Sequence, residues 1–163
     1  MSTGFVTSDD GTEIAWSRQG DGPALVMIEC VGASRATSPQ PTLPAALAAR
    51  FSVWRYDRRG KGDSGNNQPY AVEREFEDLA AVIGLVGGGP VDIYGFSSGA
   101  TLALLAAEAG LPIRRLALLE PPLNLESDHE HALAREAQRR VDADVEAATG
   151  GSTSRSSAYR RRF

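Results

Sequence analysis

The chain is poor in the side chains that make redox and metal chemistry, with one cysteine and two histidines among 163 residues. A lone Cys30 cannot close an internal disulfide or build a cysteine-rich metal site, so no structural metal is expected and a reducing compartment fits. Its expected role is packing. No apolar run approaches the ~20 residues a membrane helix needs, and Met1 to Val6 lacks a positive segment ahead of an apolar one. A cytoplasmic protein with no membrane partner is therefore expected. No internal repeat occurs. Basic surface is scarce as well: the net charge of −4 becomes −8 when the four arginines at 155, 160, 161 and 162 are set aside. An acidic body excludes nucleic acid as the expected partner, because phosphate binding needs a basic face. What remains, 42% hydrophobic and 23% charged, suits one globular core.

The order of the segments predicts an α/β fold. Gly4 to Ser8 and Thr12 to Ser17 flank Asp9-Asp10-Gly11, a turn signal between two strands. Ala24 to Cys30 is apolar on both faces, as a strand buried between helical layers must be. A short helix is expected over Leu43 to Arg50, a strand over Ser52 to Asp57, and a Gly-rich loop from Asp57 to Pro69. In the next helix Val72, Phe76, Leu79, Ala80, Ile83 and Val86 form the apolar stripe, leaving Glu73, Arg74, Glu75, Glu77 and Asp78 for solvent. Gly87 to Pro90 ends it. Val91 to Tyr94 is a strand, Ser98 to Ala109 a helix apolar nearly all round, and Arg115 to Glu120 a further strand. A hairpin followed by βαβαβαβ predicts a mostly parallel open sheet in a three-layer sandwich, with right-handed crossovers and any ligand beyond the carboxyl ends of the strands. Ser127 to Ala148 reads as a charged helix with a capping box from Ser127 to Glu130, and the Gly, Ser and Arg-rich stretch 149–163 as disordered.

One motif carries chemistry. Gly95-Phe96-Ser97-Ser98-Gly99 matches G-x-S-x-G, and it stands between a buried strand and an apolar helix, the context that separates a nucleophile elbow from a chance match. A turn that sharp leaves no room for side chains at the flanking glycines and lifts the serine hydroxyl into the cleft. The helix that follows directs its free amides and positive dipole end at a developing oxyanion, with the Ser98 N–H as one donor. A second donor is expected from the loop after the strand ending at Cys30, and Val31 N–H is the choice. Glu29 either perturbs that site or ends its strand in solvent. Gly60-Lys61-Gly62-Asp63-Ser64-Gly65 also matches G-x-G-x-x-G, but no helix can open before about Ala71, so a dinucleotide is not expected. Asp57-Arg58-Arg59 is expected instead to anchor that loop beneath the elbow.

The elbow, the Tyr56-Asp57-Arg58-Arg59-Gly60 loop after a strand, and Leu118-Leu119-Glu120-Pro121-Pro122 together resemble the α/β-hydrolase family over residues 3–125. The stretches Tyr70 to Leu79 and Tyr94 to Gly99 resemble an esterase-like bacterial subgroup. The resemblance implies a serine nucleophile at Ser97, an oxyanion hole from the amides of Ser98 and Val31, a small-molecule substrate and no cofactor. It also implies partition into a partial hydrolase core (1–125), the start of a helical cap (126–148) and a tail (149–163).

Two departures follow. Many members carry His-Gly where this chain has Glu29-Cys30, and the family places its histidine far beyond the nucleophile in the order Ser, acid, His. Here the histidines are His129 and His131, in Asp128-His129-Glu130-His131. With Glu120 as orienting acid, either could complete a triad; the plainer reading is a solvated helix start, and two histidines two apart do not share a helix face to hold a metal. The expectation is a small-ester hydrolase that lacks the fold's last strands, is truncated and has low activity. The alternative is a catalytically incomplete chain that assembles with a partner, or self-associates, through the sheet edge left at Arg115 to Glu120. The compositional break near Asp142 leaves open an out-of-frame reading, which translating the other two frames of the coding DNA would test.

Overall fold

The hairpin opens the fold. In a computed structural model, which describes residues 1–122, β1 (Ser2–Thr7) pairs antiparallel with β2 (Glu13–Gln19), and the connection turns through Gly11 at φ +83°. Beyond it lie β3 (Ala24–Ile28), α1 (Leu43–Leu47), β4 (Ser52–Tyr56), α2 (Val72–Leu85), β5 (Val91–Phe96), α3 (Ser98–Glu108) and β6 (Ile113–Leu119). The strands form one six-stranded sheet in the order β1-β2-β4-β3-β5-β6. β4, β3, β5 and β6 are mutually parallel, and β2 joins them antiparallel through β4. The parallel open sheet expected from the alternation of elements is present. The predicted segments 126–148 and 149–163, with His129 and His131, lie outside the described residues. No described helix is long and apolar enough to cross a membrane.

The core sits on one face, where Val26 and Ile28 of β3, Tyr56 of β4 and Val91 and Ile93 of β5 meet Leu79, Val82 and Ile83 of α2 and Leu102, Ala103 and Ala106 of α3. Every second residue of these strands faces that helical layer, the period-two geometry of a strand, and β3 is buried on both faces. Leu25, Met27 and Val53 are buried on the opposite face, where the Tyr94 hydroxyl donates to Gln40 Oε1, ahead of α1, at 2.6 Å. β6 closes the sheet among the described residues, bonded on one side only, to β5.

The face of α2 departs from the sequence pattern. Glu75 and Asp78, assigned there to solvent, are buried, whereas Val72 and Ala80, assigned to the core, are exposed and Val82 takes a core place. Two arginines of the preceding loop explain it. Arg58 grips Glu75 through Nε and Nη2 at 2.5 and 2.7 Å, and Arg59 grips Asp78 through the same atoms at 2.8 and 2.7 Å. Two-pronged charged hydrogen bonds of this kind let carboxylates leave water. Arg59 also reaches Asp10 in the hairpin connection at 2.9 Å, tying that turn, the loop and the helix together.

These pairs set a pH dependence. Burial pushes the Glu75 carboxyl up, but the Arg58 hydrogen bonds and charge and the Tyr70 hydroxyl outweigh it, and its pKa falls below the ordinary 4.5. The Arg59 guanidinium holds Asp10 well below the usual carboxylate range, aided by Thr12. A depressed folded-state pKa gives stability that is present above the unfolded value and lost as pH falls through the folded one. Stability should therefore drop with acid below about pH 4.5. Urea midpoints measured from pH 6 to pH 3 should fall less steeply in Glu75→Gln than in the parent; parallel curves would contradict the assignment.

Candidate active site

Ser97 stands between β5 and α3 with φ 53° and ψ −123°, a backbone conformation that side-chain-bearing residues seldom adopt. Such strain costs about 1–3 kcal/mol and persists only where the surroundings impose it. Here they do. The Ser97 N–H still belongs to the sheet, donating to Leu119 O at 2.8 Å, while its carbonyl already takes the Ala100 N–H at 2.9 Å as the first bond of α3. A chain that leaves a ladder and enters a helix at one residue must turn within that residue. The neighbouring glycines give it space: a Cβ on Gly95 would stand 2.6 Å from Ala100 Cα, and one on Gly99 would collide with the carbonyl oxygens of Ile28 and Glu29.

Donors converge on this turn. The N–H groups of Ser98 and Gly99, in the first turn of α3, have no acceptor among the described residues, and the Ser97 hydroxyl has no partner there either. Free amides at a helix N-terminus favour negative charge. Val31 also reaches the elbow, but its N–H donates to Ser98 Oγ at 2.7 Å. Arg58 Nη1 donates to the same oxygen at 3.2 Å. Sequence reasoning missed the Ser98 side chain altogether.

The loop Asp57 to Gly65 is anchored as expected. Asp57 takes the Arg35 N–H at 2.6 Å and the Asp63 N–H at 3.1 Å, and Gly62 at φ +48° packs where a Cβ would strike the Asp57 carboxylate. The loop approaches no helix N-terminus of its own, since α2 starts only at Val72. Glu29 does not end in solvent: it is 3% exposed and paired with Arg55 at 2.9 Å. β3 stops at Ile28, and Glu29 and half-buried Cys30 lie beyond it. Glu120 follows Leu119 at the end of β6, exposed and at φ 51°. An open cleft of about 220 Å³ is walled by Val31, Arg58, Lys61, Tyr70 and Glu75, and no residue of the elbow lines it. Burial, the hydrogen bond to Glu75 and the Glu75 charge raise the Tyr70 hydroxyl above its ordinary pKa. Among the described residues no cluster of three or more His, Cys, Asp or Glu is arranged to hold a metal ion.

Residues 31–163 match the family model described as the alpha/beta hydrolase family. An alpha/beta hydrolase from Sphaerobacter thermophilus is 44% identical with a TM-score of 0.71, the match covering 91% of this chain and 61% of that one. An esterase from Rhodococcus is 27% identical with a TM-score of 0.64, covering 72% and 45%. An enol-lactonase from Burkholderia xenovorans is 26% identical with a TM-score of 0.60, covering 69% and 45%. The chain thus spans less than two thirds of the length of each.

Proposed function

This chain belongs to the alpha/beta hydrolase family, and on that premise we propose that it cleaves a small ester-like substrate with Ser97 as the nucleophile. The observation that carries the reading is the Ser97 backbone at φ 53°, which sets a hydroxyl with no partner among the described residues beside α3 amides that have none there either. A relative that is an esterase and another that is a lactonase support an acyl–oxygen bond as the target. In the proposed reaction Ser97 Oγ attacks the carbonyl carbon, the oxygen becomes an oxyanion held at the N-terminus of α3, and a base takes the serine proton and returns it to the leaving alcohol. Water then repeats the sequence on the acyl-enzyme. For the base we propose His129 or His131 oriented by Glu120, which follows the residue whose carbonyl accepts the Ser97 N–H.

A second reading has its own support. The sequence has no histidine besides 129 and 131, and β6 is bonded on one side only among the described residues. If neither histidine serves, the chain is a catalytically incomplete one whose β6 edge pairs with a partner or a second copy. Loss of the base in a comparable triad lowers turnover roughly 10⁶-fold, with ~10³ over water remaining from the oxyanion hole and binding.

The test is intact mass after fluorophosphonate treatment, with p-nitrophenyl acetate turnover, in the parent and in Ser97→Ala. A single adduct and turnover that both vanish in the variant are expected. His129→Ala and His131→Ala then identify the base. Equal behaviour of parent and Ser97→Ala defeats the nucleophile assignment, and higher-order species on size exclusion in that case would favour the second reading.

A further inference from the structure

Resting on the reading of Ser97 as nucleophile, we infer that the Ser98 hydroxyl is itself an oxyanion donor, polarised from behind by Val31 and Arg58. A serine oxygen has two acceptor sites and one proton to give. Both acceptor sites are occupied: the Val31 N–H donates at 2.7 Å and Arg58 Nη1 at 3.2 Å. No acceptor for the Ser98 proton exists among the described residues, and the side chain is half-buried at the N-terminus of α3, one residue from Ser97.

Counting bonds assigns the roles. With Val31 N–H already directed at Ser98 Oγ, it is not free to meet the oxyanion directly, so its polarisation reaches the reacting oxygen through the hydroxyl. The relay runs from the N–H of Val31 to Ser98 Oγ, and from the Ser98 O–H to the oxyanion. Donors acting on one oxygen strengthen the bond that oxygen donates, the more so when one of them is charged. Arg58 is held for this by Glu75, which binds Nε and Nη2 and leaves Nη1 for Ser98. The hole then comprises the Ser98 N–H and O–H, with Gly99 N–H adjacent. Val31 and Arg58 act as positioning residues.

An oxyanion donor acts on the transition state and not on the bound ester, which a purely structural hydroxyl does not do. Ser98→Ala should lower the Ser97-dependent kcat for p-nitrophenyl acetate about 10²-fold with KM little changed, the usual effect of removing one side-chain donor. Ser98→Thr, which keeps the hydroxyl, should retain most of the rate. An unchanged or faster Ser98→Ala would overturn the relay, since it would mean that freeing Val31 N–H serves the oxyanion as well or better.

A second measurement does not depend on turnover. In a Ser97→Ala background, acetate serves as the oxyanion probe, followed by the amide shifts of Val31, Ser98 and Gly99 in ¹H–¹⁵N spectra. Binding severalfold weaker in Ser97→Ala/Ser98→Ala than in Ser97→Ala is expected. Equal affinity, or no shift of these amides in either protein, would overturn the inference even if Ser97 proves to be the nucleophile. Turnover that survives in Ser97→Ala would defeat the nucleophile reading alone, leaving the acetate comparison to decide the relay.

Discussion

Placing one methyl group at position 99 should destabilise the protein by about 3 kcal/mol, the upper end of what overpacking a filled site costs. The reason lies in what that methyl would meet. Gly99 is buried in the first turn of α3, and a Cβ there would collide with the backbone carbonyls of Ile28 and Glu29 at the end of β3. Backbone carbonyls at the end of a central parallel strand cannot swing aside as a side chain tip can. Either α3 lifts from the sheet, opening space around Leu102, Ala103 and Ala106, or β3 shifts and takes Val31 with it. Gly99→Ala should therefore lower the urea midpoint with little change in slope, and should weaken the Val31–Ser98 contact, visible as faster hydrogen exchange at Val31. Gly84→Ala is the matched control, because a Cβ there meets nothing and Gly84 lies within α2. It should stabilise by about 0.5–1 kcal/mol, the helix preference for alanine over glycine. Two equal midpoints would show that steric contact at Gly99 is not what fixes the elbow.

The same contact shows why the sequence was informative at this place and less so elsewhere. An apolar strand, G-x-S-x-G and an apolar helix identify the elbow because each is a local pattern, and the collision avoided at Gly99 is a local consequence of the turn. Strand ends were less legible. β5 runs on through Phe96 because Gly95 pairs with Ile28 on one side and Leu118 on the other, and cross-strand pairing leaves no trace in the order of one segment. The face of α2 was misread for a related reason. Hydrophobic periodicity sends Glu75 and Asp78 to water, and only partners 17 and 19 residues earlier in the chain bring them inside. Nor could residue type reveal the Ser98 hydroxyl facing Val31 and Arg58, since a serine pointing to solvent reads the same.

Asp78→Ala should be the other severe substitution, with a loss of about 3 kcal/mol or more, as removing one partner of a buried ion pair leaves the other charge without compensation. Arg59 and Asp78 are each 1% exposed at the side chain, joined by two hydrogen bonds. Arg59 keeps Asp10 and the Arg74 carbonyl at 3.1 Å, so the stranded charge is only partly met. The decisive comparison is the double variant Arg59→Met/Asp78→Leu. Replacing both ions by apolar groups of similar bulk removes the desolvation cost along with the attraction, and such exchanges are often neutral or stabilising. The double variant should thus recover most of what Asp78→Ala loses, while an Asp10 carboxyl deprived of Arg59 should titrate nearer its ordinary value of 3.8. Recovery without change at Asp10 would mean that the turn is held by something other than Arg59. A double variant no more stable than Asp78→Ala would mean that the pair stabilises the fold in its own right and not only by keeping each charge company.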